Sequence, residues 1–379
     1  MTRQTKQPML EKSALSKSTR PPHRLRLLVA VAVACLCLIG GYFFKPLAGH
    51  LSAGVSQATE NPPESAPGTD DVIINIDTAD YRKLFDELAN DHGFDRIELA
   101  SLFSGLTIDQ AALNLISDQV ESRPYLKYLA LLATPAIIQA GKEKLEEHRE
   151  LLDAIEARYG VDREYLIAIW GIETRFGQRQ GKHEVFRVLN TLFSNYPRRS
   201  GFFRDELVNF LLLCREYGLS PRSVMGSYAG AFGQPQFIPS SFREYAVSFD
   251  DDDKPDIFDS IPDILASIAN YLHRHHWVLD APVIVNIGNE LNTDNLKEVL
   301  EAGRRGRLPR QEIQDAQGVE LPPSPDNRPL VVVEFQPNPF FGKTPQYYAG
   351  YPNFQAITAW NHSNRYAMIV THFAQAMTR

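Results

Sequence analysis

The sequence predicts a mainly α-helical (α+β) fold, in which a helical body carries a small inserted β lobe. Helical spacing of apolar residues runs through residues 80–158 and returns at 202–217 and 261–276, and an N-terminal helical lobe is expected beside a helical core. Convincing strand patterns are two short runs rich in valine and isoleucine, at 283–287 and 330–335. Helices therefore build the body, and strands are confined to one stretch near the C-terminus.

The small lobe is defined by what lies between the two strand patterns. Residues 288–329 are charged and become proline-rich towards their end, and a short helix is expected at 292–302. We interpret 280–340 as a strand-containing lobe inserted into a folded domain that spans 71–379.

The N-terminus has the pattern of a membrane anchor. Residues 1–26 carry seven basic residues and one acidic residue, and 27–44 contain no charge, which is just enough length to cross a bilayer as a helix. The positive flank predicts a cytoplasmic tail at 1–26 and export of the remainder. We therefore expect an uncleaved transmembrane signal-anchor, followed by a flexible, proline-containing linker at 45–70.

Two other forms of the N-terminus compete with this prediction. A signal peptide cleaved after Ala58 is disfavoured, because this site lies well beyond the apolar run. A lipoprotein signal ending at Cys35 would place the protein on the outer membrane, but residues 32–34 make a poor lipobox and the apolar run continues past the cysteine.

The exported part is acidic and poor in cysteine. The whole chain has a net charge of −7, and the first 44 residues contribute +6, which leaves −13 for the rest. No basic patch stands out there, so nucleic acid is not expected as a partner. Cys214 is the one cysteine after the anchor, and it is predicted to be a buried apolar side chain.

A short helix over 162–177 carries the most informative residue. Gly160 ends the preceding helix, Asp162 is expected to cap this one, and Gly177 offers a left-handed stop. One helix face is apolar except for Glu173; its members are Tyr165, Leu166, Ile169, Trp170 and Glu173. A carboxyl group in such surroundings should have a raised pKa, so that it holds a proton for a leaving-group oxygen.

The competing interpretation of Glu173 is structural. A glutamate near a helix C-terminus is usually solvent-facing or paired with a nearby arginine, and Arg175 and Arg179 are available.

A second stretch, residues 226–241, combines glycines, neutral polar groups and aromatic rings. The polar groups are those of Ser227, Gln234 and Gln236, and the rings are those of Tyr228, Phe232 and Phe237. Such a surface suits sugars, which present both hydroxyl groups and apolar faces. The alternative is a structural loop that leads into a helix capped by Ser240.

A third stretch, residues 195–199, places Arg198 and Arg199 beside a proline. The pair is suited to a carboxylate or another anion. A solvated, ion-paired loop is the alternative.

Together these stretches resemble the lytic murein transglycosylase B family over residues 75–379. The matching segments are I-W-G-I-E-T-R-F-G at 169–177, N-Y-P-R-R at 195–199, G-S-Y-A-G-A-F-G-Q-P-Q-F-I-P-S-S at 226–241, S-I-A-N-Y-L at 267–272 and W-N-H-S-N-R-Y-A at 360–367. The resemblance implies a lysozyme-like helical core that cleaves the β-1,4 bond between N-acetylmuramic acid and N-acetylglucosamine in peptidoglycan. It also implies a 1,6-anhydromuramoyl product, with Glu173 as the only catalytic acid and base.

The resemblance also implies which residues contact substrate. Residues matching the family's glycan groove are Ser227, Gln236, Phe237, Tyr271, Asn361 and Tyr366, and those matching its peptide contacts are Arg198 and Arg199. Phe202 stands where some relatives have tyrosine.

An acidic run suggests a weak calcium site, although no cofactor is required for the implied reaction. Family members can hold calcium in an EF-hand-like loop here, and the candidate ligands are Asp250, Asp252, Asp256 and Asp259. Asp253 replaces the turn glycine and Pro255 intrudes, so a solvated acidic loop is the alternative. His273, His275 and His276 have no zinc-site spacing, and we expect a solvated helix end.

Two other functions and a cellular location complete the expectations. A hydrolytic muramidase would use the same Glu173 to activate water, and a non-catalytic peptidoglycan-binding protein would keep only the groove. The predicted location is the inner membrane, with the catalytic domain in the periplasm of a Gram-negative bacterium. The expected partners are peptidoglycan strands, the membrane, and cell-wall synthesis proteins.

Overall fold

The computed structural model describes residues 72–118, 134–250, 253–335 and 344–378. The predicted tail, anchor and linker therefore lie outside the described residues. Within those residues, no helix has the length and apolar character needed to cross a membrane.

An N-terminal lobe of three helices begins the described chain, as α1 (Ala79–Asn90), α2 (Arg96–Phe103) and α3 (Gln110–Asp118). Tyr81 and Phe103 pack edge to face with their rings 6.1 Å apart, and Tyr81 also packs on Phe193 of the main body. A buried pair between Asp109 and His183, 2.7 Å apart, adds a polar link between the lobe and the body.

The body is helical, as predicted. Its helices are α4 (Pro135–Glu147), α5 (Arg149–Tyr159), α6 (Arg163–Thr174), α7 (Val185–Asn195), α8 (Ser200–Tyr217), α9 (Pro239–Tyr245), α10 (Ile261–Arg274), α13 (Pro352–Asn361) and α14 (Asn364–Thr378). A short antiparallel pair joins β1 (His183–Glu184) to β2 (Met225–Gly226). Helix α6 packs against α4, α10 and α14, and every residue from Tyr165 to Thr174 is buried.

The small lobe contains a three-stranded antiparallel sheet in the order β3 (Ile284–Gly288), β5 (Gln346–Gly350), β4 (Val331–Phe335). Helices α11 (Asp294–Glu301) and α12 (Arg310–Gln317) accompany it, and it has its own apolar cluster that includes Ile287, Leu296, Ile313, Leu330 and Val332. The central strand β5 was not predicted. It is a short tyrosine-containing segment that becomes a strand by pairing on both sides.

The ends of α6 differ from the prediction in two ways. Asp162 precedes the helix, but its carboxylate accepts hydrogen bonds from Trp277 Nε1 (2.6 Å) and the Asp280 N–H (3.1 Å), and it does not cap α6. The helix ends at Thr174, and the left-handed cap is Arg175 (φ 50°). Gly177 (φ 84°) lies further on and serves a packing role described below.

Candidate active site

Glu173 lies in the last turn of α6 and is 2% exposed. Its Oε1 accepts hydrogen bonds from the Tyr366 hydroxyl (2.7 Å) and from Trp360 Nε1 (3.0 Å). The solvent-facing alternative for Glu173 is therefore wrong. Sequence reasoning included Tyr366 among the groove residues but missed Trp360, although Trp360 opens the last of the matching segments.

A glycine in α6 allows one of these donors, Tyr366, to reach the carboxyl group. A Cβ on Gly171 would approach the rings of Phe176 and Phe373 to 2.8 Å. The absence of a side chain thus lets α14 lie close to α6, and α14 carries Tyr366. The glycine in the I-W-G-I-E segment has a structural purpose that the sequence alone does not reveal.

Aromatic rings extend from Glu173 along one wall. Trp360 packs on Phe237 and Tyr271, with ring centroids 5.2 and 4.7 Å apart, and Phe237 lies 6.2 Å from Tyr271. His275 stacks on Tyr271 at 4.4 Å. Trp360 therefore links Phe237 and Tyr271, two predicted groove residues from separate segments, to the carboxyl group of Glu173.

The segment 226–241 is fixed to α6 by Gln234. The Gln234 side chain accepts from Trp170 Nε1 (2.7 Å) and donates to the Phe258 carbonyl (2.7 Å), while the Gln234 carbonyl accepts from the Thr174 hydroxyl (3.0 Å). A Cβ on Gly177 would lie 2.6 Å from Gln234 Oε1. Gly177 therefore leaves the space that this connection needs.

Ser227 and Gln236 lie inside this segment. Ser227 is fully buried, and its hydroxyl accepts from the N–H groups of Ala229 (3.3 Å) and Ala231 (3.0 Å). Gln236 has φ 54°, is 2% exposed, and donates to the carbonyls of Gly233 (2.8 Å) and Gln180 (3.1 Å). Both side chains hydrogen-bond within the loop, as the structural alternative for this stretch expects. The expected cap by Ser240 is wrong, because Ser240 lies inside α9 and donates to Glu206.

The remaining predicted contacts are Asn361, Arg198 and Arg199. Asn361 is buried at the end of α13, next to Trp360. Arg198 is exposed, whereas Arg199 is half-buried with its guanidinium 4.1 Å from the centre of the Phe202 ring. Burial lowers the pKa of Arg199, and the nearby charge of Glu206 partly opposes that effect.

The other buried acidic side chains of the described residues serve the scaffold. Asp109 pairs with His183, and Asp263 accepts from the N–H groups of Phe249 and Asp256, both at 2.7 Å. Glu206 accepts from the Ser240 N–H (2.9 Å) and hydroxyl (2.7 Å), and burial raises its pKa to about 7.

Two carboxylates of the acidic loop accept protein hydrogen bonds. Asp250 accepts from the Ser260 hydroxyl (2.7 Å), and Asp256 accepts from the N–H groups of Phe258 and Asp259. Asp252 lies outside the described residues. Within the described ranges, no group of three or more His, Cys, Asp or Glu side chains is arranged to hold a metal ion.

The three histidines at the end of α10 differ in their surroundings. His273 and His276 are exposed, in agreement with a solvated helix end. His275 is different, since it packs between Tyr271 and Tyr245, and burial lowers its pKa to about 4.

Comparison with known proteins gives a consistent result. The family model described as "Transglycosylase SLT domain" matches residues 77–375. The membrane-bound lytic murein transglycosylase B of Escherichia coli (strain K12) is 32% identical over 314 residues, which are 78% of this chain and 82% of that protein. The crystal structure of soluble lytic transglycosylase SltB1 from Pseudomonas aeruginosa is 36% identical, covers 78% of this chain and 97% of its own, and has a TM-score of 0.69. SltB3 from the same organism, in complex with NAG-NAM-pentapeptide, is 31% identical over 79% of each chain with a TM-score of 0.66.

Proposed function

The chain belongs to the SLT-domain family of lytic murein transglycosylases, and from this premise we propose that Glu173 is its single catalytic acid and base. The protein is a peptidoglycan lytic transglycosylase. It cleaves the β-1,4 bond between N-acetylmuramic acid and N-acetylglucosamine and forms a 1,6-anhydromuramoyl product.

The observation that carries the proposal is the environment of the Glu173 carboxyl group. It is 2% exposed and receives hydrogen bonds from Trp360 and Tyr366 at one oxygen, Oε1. Burial disfavours the charged form, whereas the two donors stabilise it once formed. A carboxyl group under both influences is suited to release a proton and then to take one back, and the predicted rise of its pKa remains a prediction.

The reaction needs two proton transfers at this group. Glu173 first protonates the glycosidic oxygen, and the bond from that oxygen to muramoyl C1 breaks with both electrons leaving on the oxygen. The resulting carboxylate then accepts the proton of the muramoyl 6-hydroxyl, whose oxygen forms a bond to C1. Glu173 is protonated again at the end, and no water is consumed.

A second catalytic carboxylate is not required by this scheme, in contrast to ordinary glycosidases. The substrate's own N-acetyl group is expected to stabilise the positive charge that develops at C1. The hydrogen bonds of Asp109, Glu206 and Asp263 within the scaffold support this proposal, because those acids are engaged elsewhere.

The test is replacement of the acid by its neutral isostere. Glu173→Gln should lower the rate of anhydro-product formation about a thousandfold, the scale of general acid–base catalysis, while binding to purified murein is kept. Glu164→Gln, which changes a half-buried glutamate in the first turn of the same helix, is the matched control and should remain active. Mass spectrometry distinguishes the anhydro product from a hydrolysed one, which is heavier by one water. Undiminished cleavage by Glu173→Gln would end the proposal.

We infer that the protein is associated with the membrane and acts in the periplasm. The membrane association is supported by the E. coli relative, which is a membrane-bound lytic murein transglycosylase. We infer an uncleaved inner-membrane anchor at 27–44 from its charge-free run and basic flank. Full-length protein in the inner-membrane fraction would agree with it, whereas incorporation of labelled fatty acid would favour a lipoprotein modified at Cys35. Binding to cell-wall synthesis proteins is a separate proposal for crosslinking in cells.

Catalysis in this scheme needs no cofactor, and calcium is proposed only as a weak structural ligand of Asp250, Asp252, Asp256 and Asp259. The carboxylates of Asp250 and Asp256 already accept protein hydrogen bonds, so the fit to a cation is poor without rearrangement. Thermal unfolding with millimolar calcium chloride and with a chelator tests this, and identical midpoints would dismiss the site.

A further inference from the structure

The chain that leads from α10 into the small lobe makes a tight turn over residues 277–281, which we call the clamp turn. Trp277 is 5% exposed, the Ala281 N–H donates to the Val278 carbonyl at 3.2 Å, and Asp280 has φ 60°. This left-handed conformation is uncommon outside glycine and persists where surrounding contacts fix it. The contacts that fix the clamp turn come from two helices of the body.

The first of these helices is α6, which carries Glu173. The Asp162 carboxylate, just before α6, accepts from Trp277 Nε1 at one oxygen (2.6 Å) and from the Asp280 N–H at the other (3.1 Å). The Trp277 ring also packs on Tyr165 in the first turn of α6, with ring centroids 4.8 Å apart. The clamp turn therefore holds the start of α6.

The second helix is α13, which carries Trp360. Asn353 is its second residue and is fully buried. The Asn353 side-chain oxygen accepts from the Val278 N–H (2.9 Å), and its amide group donates to the carbonyls of Val278 (2.8 Å) and Ala281 (3.4 Å). Helices α6 and α13 therefore begin at one common support.

The far ends of these two helices meet at the candidate catalytic residue. Glu173 lies in the last turn of α6 and Trp360 in the last turn of α13, and Trp360 Nε1 donates to Glu173 Oε1 at 3.0 Å. Because N–H···O hydrogen bonds span only about 2.7–3.2 Å, a shift of roughly half an ångström between the helices would break this one. Close-packed helices transmit such shifts from one end to the other.

We propose that Asp162 and Asn353 are positioning residues for the reaction. Through the clamp turn they set α6 against α13, so that Trp360 reaches Glu173. Neither residue contacts the reacting atoms. The inference deepens the proposed function and rests on it, because it takes Glu173 as the catalytic acid and base.

The kinetic test uses two nearly isosteric substitutions in the full-length enzyme. Asp162→Asn replaces one accepting oxygen by an amide donor, and Asn353→Asp turns an oxygen towards the carbonyls of Val278 and Ala281, so each variant loses part of the clamp. Each should lower kcat about tenfold and leave KM within about twofold of wild type, because a displaced acid weakens the transition state more than substrate binding. Asp109→Asn makes the same chemical change at a carboxylate that ties the N-terminal lobe to the body, and should keep the wild-type kcat.

The variant Trp360→Phe separates positioning from a general loss of stability. If Asp162 acts on Glu173 through Trp360, Asp162→Asn should lower kcat less than about twofold once the indole N–H is absent, so the two losses are not additive. Partial unfolding alone would lower kcat by the same factor in both backgrounds, and that result would overturn the inference.

The indole groups give a measurement that does not depend on cleavage. The chain has three tryptophans, and their indole N–H groups donate to three different residues: Trp170 to Gln234, Trp277 to Asp162 and Trp360 to Glu173. In spectra of the full-length protein in detergent, labelled with ¹⁵N at its tryptophans, Asn353→Asp should move the Trp360 signal and leave the Trp170 signal in place. A Trp360 signal that stays in place would overturn the inference.

The remaining outcomes are also decisive. An unchanged kcat in both Asp162→Asn and Asn353→Asp would show that the clamp turn does not position Glu173. Should either variant fail to fold, Trp277→Phe removes only the indole donor to Asp162 and keeps a ring on Tyr165, and the same kcat loss is expected. Failure of wild type to form anhydro product would count against the proposed function, whereas the indole signals test the clamp by themselves, which separates the two failures.

Discussion

Two regions of this protein each bury a glutamate, and they use it differently. Glu206 on α8 is 4% exposed and accepts both hydrogen bonds from one residue, Ser240, in the first turn of α9. Glu173 on α6 is 2% exposed and accepts from the side chains of Trp360 and Tyr366, which lie on α13 and α14. Burial alone therefore does not identify a catalytic acid. The Glu206 carboxylate accepts from a backbone N–H and so fixes the start of α9, whereas the Glu173 carboxyl group accepts from the side chains of Trp360 and Tyr366 beside the groove, which suits it to chemistry.

The largest effect that tests this comparison is the pH dependence that Glu206 gives to the free energy of unfolding. Its pKa is raised to about 7 in the folded protein, against an ordinary 4.5. Between these values the folded state keeps a proton that the unfolded state loses, so the free energy of unfolding should fall as pH rises and level off above about 7. The decrease should approach about 3 kcal/mol, since each pH unit in this window changes it by about 1.4 kcal/mol.

Urea unfolding at several pH values measures this slope. Glu206→Gln keeps a donor and an acceptor for Ser240 but does not titrate, so its profile should be flatter than that of wild type while cleavage of murein continues. Glu150→Gln, at an exposed position, is the control. If Glu206→Gln keeps the wild-type slope but loses cleavage, the two glutamates have been assigned to the wrong roles.

The next effect concerns the connection between α6 and the segment 226–241. Gly177→Ala should cost about 2 kcal/mol or more of unfolding free energy, because it adds strain at φ 84° to a clash with Gln234 Oε1. Gly160→Ala is the matched control, because Gly160 has φ 63° and a Cβ built there would have no heavy atom within 4 Å. This substitution should cost about 1 kcal/mol of unfolding free energy, from backbone strain alone.

Chemical denaturation gives both free energies, and kcat shows whether the displaced Gln234 disturbs Glu173. Equal costs for the two alanine variants would mean that Gln234 moves aside freely and does not hold the site.

The smallest expected effect concerns the hydrogen bond from Tyr366 to Glu173. Tyr366→Phe removes the 2.7 Å donor to Oε1 and should lower kcat/KM by about tenfold, the value of one good hydrogen bond to a charged group. Loss of a donor to the carboxylate also disfavours the charged form, so the pH–rate profile should move to higher pH.

Tyr351→Phe is the control for Tyr366→Phe. It removes a buried tyrosine's hydrogen bond to the Pro322 carbonyl in the small lobe, and should change stability without moving the pH–rate profile. A Tyr366→Phe profile that superimposes on wild type would show that this hydroxyl does not tune Glu173.

Several features of the fold and the site were predicted from sequence because they depend on neighbours in the chain. The periodicity around Glu173 places it on the apolar face of α6, and alternation and β-branching mark β3 and β4. Strand β5 was missed because its pairing partners on either side, β3 and β4, are what make it a strand. The prediction that Asp162 caps α6 was wrong, because its carboxylate accepts instead from Trp277 and Asp280, which lie far along the chain.

By itself, the sequence determined the helical class, the family and the burial of one carboxyl group on a short helix, because each is written in local spacing or in contiguous motifs. Only the tertiary structure decided that Trp360 and Tyr366 donate to that group, and that Gln234 holds the glycine-rich segment against α6. These contacts join residues 60 to 193 positions apart, such as Thr174 with Gln234 and Glu173 with Tyr366. They form only when helices pack, and so no local pattern in the sequence records them.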